Sequence, residues 1–312
     1  MKINFTNKFN ELGLTYDILK RAEVNASIKV FYGYTKDGKR RLAFLSKIQP
    51  EYINSTKMIS VNHYKDNSSL YWLSFDLENN ALSNLFNTFC SDMVNSLDDI
   101  NNEEIELKCL KKRFDSWKKM FQNTPQKELS EEEEQGLFGE LYFLYKFMAP
   151  KYGLEKAILS WTGPLDYSKD FSIDETWYEI KTSNANASSI KISSINQLDS
   201  DKDGFLGVIK IEKMSNEYRG ILSSVFELIE AILNEIKNTQ TQEVFIDKLS
   251  KFNFDTENNA IPRRYDVKSM TLYNVTDDFP RLTKTNIAFP EIENVSYTIN
   301  LAGIERFKKE EK

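Results

Sequence analysis

The chain has 312 residues, of which 40% are hydrophobic and 28% are charged, and its formal charge is −6. This composition predicts a folded protein and excludes an intrinsically disordered one. No segment approaches the roughly 20 apolar residues that a membrane helix needs, and the N-terminus lacks the apolar stretch of a secretory signal. The negative charge argues against a nonspecific nucleic-acid coat protein, although it leaves room for a local basic face.

The scarcity of histidine and cysteine limits the chemistry that this chain can carry. Its only histidine is His63, and its two cysteines are Cys90 and Cys109. A Cys/His zinc site and a catalytic triad with a histidine base are therefore disfavoured. Two distant cysteines do not predict a disulfide framework, so we expect a cytoplasmic protein. Any hydrolytic chemistry should depend on carboxylates, lysine and a hard metal ion.

The first part of the chain has a β-rich pattern followed by two helices. Runs of alternating apolar residues predict four strands, at residues 26–34, 40–48, 57–64 and 69–77. A turn at Asp37–Gly38 joins the first two. Apolar residues at helical spacing predict helices over 79–97 and 99–121. Basic residues on the second helix either contact phosphates or form a solvated face, and the solvated face is favoured; they are Lys108, Lys111, Lys112, Arg113, Lys118 and Lys119.

Three regions that differ in sequence pattern predict the domain organisation. A β-rich N-terminal module with its helices covers 1–125, a core covers 126–215, and a C-terminal extension packed on the core covers 216–312. Within the extension, a helical stretch is expected at 217–251. Strand-like runs follow, punctuated by prolines, at 266–275, 284–290 and 294–301.

A helix with an unusual carboxylate opens the central region. Ser130 with Glu133 three residues later forms a capping box, which predicts a helix start. Gly136 and Gly139 each cost about 1 kcal/mol relative to alanine inside a helix, which indicates close approach by another backbone. Glu140 lies amid apolar residues, and a carboxylate in such a place needs a partner.

Strands and turns follow that helix. Residues 157–161 predict a short strand, and residues 169–173 and 176–183 predict two strands joined by a turn at 174–175. Side chains alternate between the faces of a strand, so Glu179 and Lys181 point the same way. If the two strands pair as a hairpin, Asp170 reaches the same face. A helix carrying Gln197 and a buried apolar strand at 205–213 complete the region.

Two carboxylates and one ammonium group at a sheet edge suit the hydrolysis of a phosphodiester. The carboxylates of Asp170 and Glu179 can hold one or two Mg²⁺ ions, and the Ile180 carbonyl could supply a further oxygen ligand. The ions polarise the phosphate and activate water, while Lys181 stabilises phosphate charge or orients the water. The alternative is a solvated hairpin with an incidental ion pair.

The order of these motifs resembles the PD-(D/E)XK nuclease superfamily. GLFGEL, the Trp161–Gly163 turn, KDF and YEIKTS are similar to one family in particular, the "PD-(D/E)XK motif protein" family of bacterial restriction and phage-defence loci. The late segments DVKSMTLYNVTDDFPRL and VSYTINL are also similar to that family, so the resemblance covers most of the chain. Lys169 stands where the motif has proline. Asp201 stands where RecB-like nucleases have tyrosine, which argues against a RecB-like assignment.

The resemblance implies a fold and a set of roles. The expected class is α+β with an α/β-type, restriction-endonuclease-like core, in which helices flank a mixed central sheet. Asp170 and Glu179 would bind the metal, Lys181 would be the catalytic lysine, and Glu140 and Gln197 would be accessory residues. The implied cofactor is Mg²⁺, for which Mn²⁺ could substitute.

The expected function is that of a Mg²⁺-dependent DNA endonuclease of a bacterial restriction or anti-phage system. The expected partner is DNA, with other defence-system subunits and a homodimer as open alternatives. One rival function is a noncatalytic nucleic-acid-binding or scaffold subunit that keeps the nuclease fold. Another is an inhibitor-like protein-interaction module, which a lack of positive charge near Lys181 would favour.

Overall fold

The computed structural model describes residues 2–13, 15–121, 129–165, 167–252, 262–287, 289, 291–292 and 295–309. The boundary expected between residues 125 and 126 lies outside this part of the chain. None of the helices within it combines the length and the apolar character that crossing a membrane requires.

Helices and strands alternate in blocks along the described residues. The α-helices are, in chain order, α1 Phe5–Leu12, α2 Ser83–Asn95, α3 Glu103–Trp117, α4 Glu131–Phe143, α5 Ala149–Tyr152, α6 Leu154–Ser160, α7 Val225–Glu235 and α8 Thr239–Leu249. The strands are β1 Ile18–Ala22, β2 Lys29–Tyr34, β3 Arg40–Ser46, β4 Ile59–Lys65, β5 Tyr71–Leu77, β6 Phe171–Ile173, β7 Thr176–Asn184, β8 Ser189–Ile192, β9 Gly204–Met214, β10 Arg264–Val275 and β11 Tyr297–Asn300. A π-helical segment, Leu144–Met148, links α4 to α5.

The chain divides into two compact units. Residues 1–129 and 229–262 form the first unit, and residues 130–228 and 263–312 form the second. The division falls within α7, and it groups residues 229–262 with the N-terminal part of the chain. The predicted C-terminal extension, 216–312, includes those residues, and the three-part domain organisation stays a prediction.

The first unit is built on a five-stranded antiparallel sheet. Its strand order is β1-β2-β3-β5-β4, and the four strands expected from alternation are confirmed. The β2–β3 turn contains Gly38 at a φ of 77°, a conformation that glycine adopts without strain. Helices α1, α2 and α3 contribute to an aromatic core with one face of the sheet; its buried rings include Phe5, Phe9, Tyr32, Phe44, Phe75, Phe89, Phe114 and Trp117.

The second unit is built on a four-stranded mixed sheet. Its order is β10-β9-β7-β6, with β7 parallel to β9 and the other neighbours antiparallel. Helix α4 packs on β7. A separate two-stranded antiparallel sheet pairs β8 with β11, and both strands contribute to an apolar cluster with residues of β7, β9 and β10. The expected α+β class, with helices flanking a mixed sheet, is confirmed.

Two predicted strands are wrong. Residues 157–160 lie in α6, and Trp161 makes only an isolated bridge to Phe171. Residues 154–157 favour a helix and start α6. Their helix propensity prevails over the strand tendency of the apolar run that follows. In the run at 284–290, residues 284–286 form a 3₁₀ turn instead of a strand, because Thr283 and Asn286 cap it reciprocally.

The helical stretch expected at 217–251 is interrupted. It forms α7 and α8, and the Asn238 side chain caps the start of α8 by accepting hydrogen bonds from two backbone N–H groups. The inference that another backbone closely approaches the two glycines of α4 is wrong. A Cβ at Gly139 would collide with the Thr182 side chain, whereas a Cβ at Gly136 would meet nothing within 4 Å.

Candidate active site

A β-hairpin positions the predicted site residues. Strands β6 and β7 pair antiparallel, with the turn at 174–175 and Asp174 at a φ of 50°. Asp170 lies just before β6, and its N–H donates to the Tyr178 carbonyl at 3.1 Å. Its carboxylate oxygen Oδ2 then accepts the Ile180 N–H at 2.6 Å. Beyond the first residue of β6, the Asp170 carboxylate therefore takes the place of a backbone carbonyl as the acceptor for β7.

Glu179 and Lys181 lie on one face of β7, as strand alternation requires. Lys181 Nζ is 2.8 Å from Glu179 Oε1, and only 1% of the Glu179 surface is exposed. The Lys181 ammonium also donates to Gln197 Oε1 at 3.0 Å. The structure thus brings the hairpin lysine, one hairpin carboxylate and the downstream glutamine into direct contact.

Glu140 reaches this edge of the sheet from α4. The predicted capping box at Ser130 and Glu133 is present and starts the helix three turns earlier. Glu140 Oε2 accepts a hydrogen bond from Trp161 Nε1 at 2.7 Å, which provides the partner that its apolar surroundings demand. The backbone of Gly163 approaches so closely that an added Cβ would collide with Glu140 and lie 3.3 Å from Asp170 Oδ1.

From the sequence, Trp161 and Gly163 are predicted only as part of a turn, with no role at the site. The structure shows that Trp161 orients the Glu140 carboxylate. It also shows that Gly163 leaves the space in which two carboxylates meet. The sequence shows only a glycine two residues after a tryptophan in a polar turn. The roles of both residues depend on Glu140 of α4, which lies 21 residues before Trp161.

Burial raises the pKa values of the three carboxylates, and repulsion by Asp170 adds to the shift in two of them. Burial, and then the charge of Asp170, raise the pKa of Glu140 well above its usual range. The same two causes raise the pKa of Glu179 to about 8. Burial also raises the pKa of Asp170, and the neighbouring Lys181 charge opposes that shift. One lysine therefore does not compensate three carboxylates held this close together.

Gln197 is held in place by a lysine that the sequence analysis noted only as a departure from the motif. Lys169 Nζ donates to the carbonyls of Asn196 and Gln197 at 2.7 Å each and to that of Asp199 at 3.0 Å. It lies 4.1 Å from the centre of the Trp177 ring. Burial lowers the pKa of Lys169 to about 8. Lys169 thus anchors the turn that presents Gln197 to Lys181.

The helix expected around Gln197 is a single 3₁₀ turn, Ile195–Gln197. The carbonyls that a longer helix would use for its own hydrogen bonds accept from Lys169 instead. Gln197 Oε1 additionally accepts the Ser193 N–H at 2.8 Å, which fixes the amide in the orientation that Lys181 uses.

The donor chemistry of the cluster fits a hard divalent cation. One oxygen of each carboxylate makes the contact described above. The second oxygen of each is the kind of ligand that Mg²⁺ and Mn²⁺ prefer. The Ile180 N–H faces Asp170, and a strand residue directs its N–H and C=O to the same edge, so the Ile180 carbonyl faces that edge too. Among the described residues, no three or more His, Cys, Asp or Glu side chains already stand in a metal-holding arrangement.

The favoured interpretation of the basic residues of α3 and of the 3₁₀ turn Lys118–Phe121, a solvated face, holds except for Arg113, whose side chain is 15% exposed. Most of them pair with acidic groups of the first unit. The pairs are Lys108–Glu104, Lys111–Asp115, Lys112–Glu243, Arg113–Asp92 and Lys119–Asp247. Their charge is largely neutralised within the unit, so this helix is a poor candidate for a phosphate-binding surface.

The fold and the cluster define an α+β protein with carboxylates and a lysine at the edge of a mixed sheet. The chain belongs to the family whose description reads "Putative PD-(D/E)XK family member, (DUF4420)", whose model matches residues 10–302. This match confirms the resemblance to the PD-(D/E)XK superfamily. Comparisons with curated proteins and with solved structures found no match.

Proposed function

We propose that this protein is a metal-dependent endonuclease that hydrolyses DNA phosphodiester bonds. The observation that carries the proposal is the convergence of Asp170, Glu179 and Lys181 at one sheet edge, with Glu140 beside them. Members of the PD-(D/E)XK superfamily are usually nucleases that use divalent metal ions, which agrees with this chemistry.

The electrostatics of the cluster support binding of a cation. Burial raises the pKa of all three carboxylates, and the charge of Asp170 adds to the shift of Glu140 and of Glu179. In our proposal Asp170 and Glu179 bind Mg²⁺, or Mn²⁺ in its place, together with the Ile180 carbonyl. When bound, such an ion polarises the scissile phosphate and lowers the pKa of water.

The chain's own residues would then orient the substrate and stabilise charge. The Lys181 ammonium is held by Glu179 and Gln197, so it can donate to a phosphate oxygen without reorganising as negative charge develops. Gln197 fixes the position of Lys181 through its Oε1. Glu140, oriented by Trp161, would act as an accessory carboxylate beside Asp170.

Plasmid cleavage tests the proposal. Purified protein is incubated with supercoiled plasmid and Mg²⁺, alongside Asp170→Ala, Lys181→Ala and the exposed-lysine control Lys191→Ala on β8. We expect the wild type and the control to nick the plasmid. Losing a charge-stabilising donor costs roughly a hundredfold or more in rate, so both site variants should lose cleavage to at least that extent, as should the wild type in EDTA.

Two results would overturn the proposal. Nicking that persists equally in Asp170→Ala and Lys181→Ala would remove these residues from the chemistry. DNA binding without cleavage in either Mg²⁺ or Mn²⁺ would favour the rival function, a noncatalytic subunit that keeps the nuclease fold.

The biological setting belongs to the same proposal. The resemblance of the GLFGEL and YEIKTS motifs to restriction and phage-defence proteins supports a defence role, with DNA and other defence subunits as partners. Cleavage of both strands would need two active sites, which supports a homodimer. A cytoplasmic location agrees with the two cysteines, which the structure places apart as free thiols.

A further inference from the structure

The sheet of the first unit carries a strip of aromatic rings on the face opposite its core. Directly paired strand residues lie on the same face, and the register pairs Tyr64 with Trp72 and Trp72 with Leu45. The Tyr64 and Trp72 rings stack with centroids 5.9 Å apart and planes 10° apart. Phe31 on β2 contacts the same indole at 5.1 Å. The three rings therefore form one strip, the aromatic face, which crosses the sheet from β2 to β4.

The aromatic face is accessible and held in place. Tyr64 is 48% exposed, and Trp72 and Phe31 are half-buried by their neighbours. The Trp72 indole N–H donates to Asp66 Oδ2 at 3.1 Å, which fixes the orientation of the ring. Rigid, partly exposed aromatic rings in a row are suited to binding a flat partner, because little side-chain entropy is lost.

The aromatic face carries cations in a chain that has a charge of −6 as a whole. Strand alternation places three of the six lysines and arginines of β1–β5 on this face, Arg21, Lys29 and Arg41, together with the acidic residue Asp76. Asp76 accepts two hydrogen bonds from Arg41 at 2.6 Å each, and Asp66 borders the face where it accepts from Trp72. The register places Arg21 opposite Phe31 and Lys29 opposite Leu45, so both cations share the face with the rings.

Arg21 and Lys29 differ from the basic residues of α3. The α3 cations are paired with carboxylates, whereas among the described residues Arg21 and Lys29 take part in no ion pair, and both are exposed. A polyanion with flat, stackable groups complements such a surface in charge and in shape. Single-stranded nucleic acid has both properties, because its unpaired bases stack on aromatic rings and its phosphates bind Lys and Arg.

We propose that the aromatic face binds single-stranded DNA, with unpaired bases on Tyr64 and Trp72 and backbone phosphates at Arg21 and Lys29. This inference goes beyond the cleavage proposed above and concerns a different unit of the chain. Binding requires no divalent ion, so it is measured in EDTA and can hold or fail independently of catalysis.

The test uses a fluorescein-labelled oligodeoxythymidylate and the full chain in EDTA. We expect Tyr64→Ala to weaken binding about tenfold, the order of effect found when a stacking ring is removed. Tyr52→Ala is the matched control, because Tyr52 is 73% exposed in the same unit but stacks on His63, whose strand position places it on the core side of the sheet. This control should bind as the wild type does.

Two further measurements separate stacking and charge from loss of folding. The double variant Arg21→Glu, Lys29→Glu changes only exposed residues, and it should flatten the salt dependence of binding, since each phosphate contact on a single strand contributes a slope of about 0.7. Tryptophan emission should fall on binding and respond weakly in Trp72→Phe, because Trp117, Trp161 and Trp177 are at most 4% exposed. Thermal melting verifies that each variant is folded.

The proposal is wrong if the folded variants bind the oligonucleotide as tightly as the wild type. It is also wrong if duplex DNA of equal length binds equally well and with the same indifference to Tyr64→Ala, because paired bases cannot stack on the face. A third contrary result is a protein dimer that Tyr64→Ala dissociates without any change in oligonucleotide affinity, which would make the face a protein interface.

Discussion

Buried carboxylates occur in both units, but they are accommodated in different ways. In the first unit, Glu106 is fully buried and stands alone, and its two oxygens accept the backbone N–H groups of Ser27 and Ile28 at 2.7 and 2.9 Å. Asp92 likewise has a donor on each oxygen, Trp117 at 2.8 Å and Gln242 at 2.7 Å. These contacts satisfy each carboxylate and tie distant segments of that unit together.

In the second unit, three carboxylates share one sheet edge. Burial raises the pKa of all three, and the charge of Asp170 raises the pKa of Glu140 and of Glu179 further, with Lys181 as the cation in contact. The comparison teaches that burial alone does not mark a functional carboxylate. A structural carboxylate is buried singly with both oxygens bonded, whereas a candidate ion-binding cluster keeps its charges together at a cost in stability.

The largest expected effect concerns a structural carboxylate. Glu106→Ala leaves the buried Ile28 N–H and the partly buried Ser27 N–H without their acceptor, and hydrogen bonds to a charged group contribute roughly 1.5–3 kcal/mol each. We expect the free energy of unfolding to fall by about 3 kcal/mol, measured by urea denaturation, while plasmid cleavage by the folded variant is unchanged. The control Glu104→Ala removes an exposed helix ion pair that contributes little to stability. A loss of cleavage in Glu106→Ala without loss of stability would contradict the distinction.

The second effect is a pH dependence of stability in the metal-free protein. Glu179 in the folded protein keeps its proton up to a pKa of about 8, whereas the unfolded chain releases it near 4.5. The folded state binds more protons between these values, so stability in EDTA should fall as pH rises from about 5 to about 8 and level off above that. Glu179→Gln should reduce this slope to the part owed to Glu140 and Asp170. Identical slopes in thermal melts of the two proteins would contradict the assignment.

The third effect tests the anchoring of Gln197. Lys169→Met removes three hydrogen bonds to the turn that presents Gln197 to Lys181. Loss of such an outer partner costs roughly tenfold in activity, so kcat for plasmid cleavage should fall about tenfold with KM for DNA unchanged. Lys202→Met, at an exposed lysine paired with Glu175, is the control. A change in KM alone would mean that Lys169 contacts DNA instead of positioning Gln197.

The smallest effect distinguishes the two glycines of α4. Gly136→Ala places a methyl group in open space and should stabilise the helix by about 0.5–1 kcal/mol. Gly139→Ala forces the methyl group against Thr182 and should destabilise the protein. Differential scanning calorimetry should show midpoint shifts of opposite sign, and shifts of the same sign would refute the packing of α4 on β7.

Local periodicity was sufficient to predict part of the site. Alternation in a strand places Glu179 and Lys181 together, and a tight turn predicts the hairpin that returns Asp170 to them. The contributions of Trp161, Gly163 and Lys169 could not be predicted in this way. Each acts on a partner 21 or more residues away in sequence, on an element whose position depends on tertiary packing.

The fold shows the same limit. The strands of the first unit follow from alternating apolar residues and turn residues. The grouping of residues 229–262 with the N-terminal part of the chain depends on contacts such as that of Gln242 with Asp92, 150 residues apart. Helix α6 was mistaken for a strand because four apolar residues in five do not distinguish the two conformations.

Anomalous diffraction from crystals soaked in Mn²⁺ tests the central claim most directly. The account predicts one strong peak in contact with the carboxylates of Asp170 and Glu179 and with the Ile180 carbonyl, absent from crystals of Glu179→Gln. A structure in which the Asp170 carboxylate turns away from this edge, or in which manganese binds only elsewhere, would contradict it.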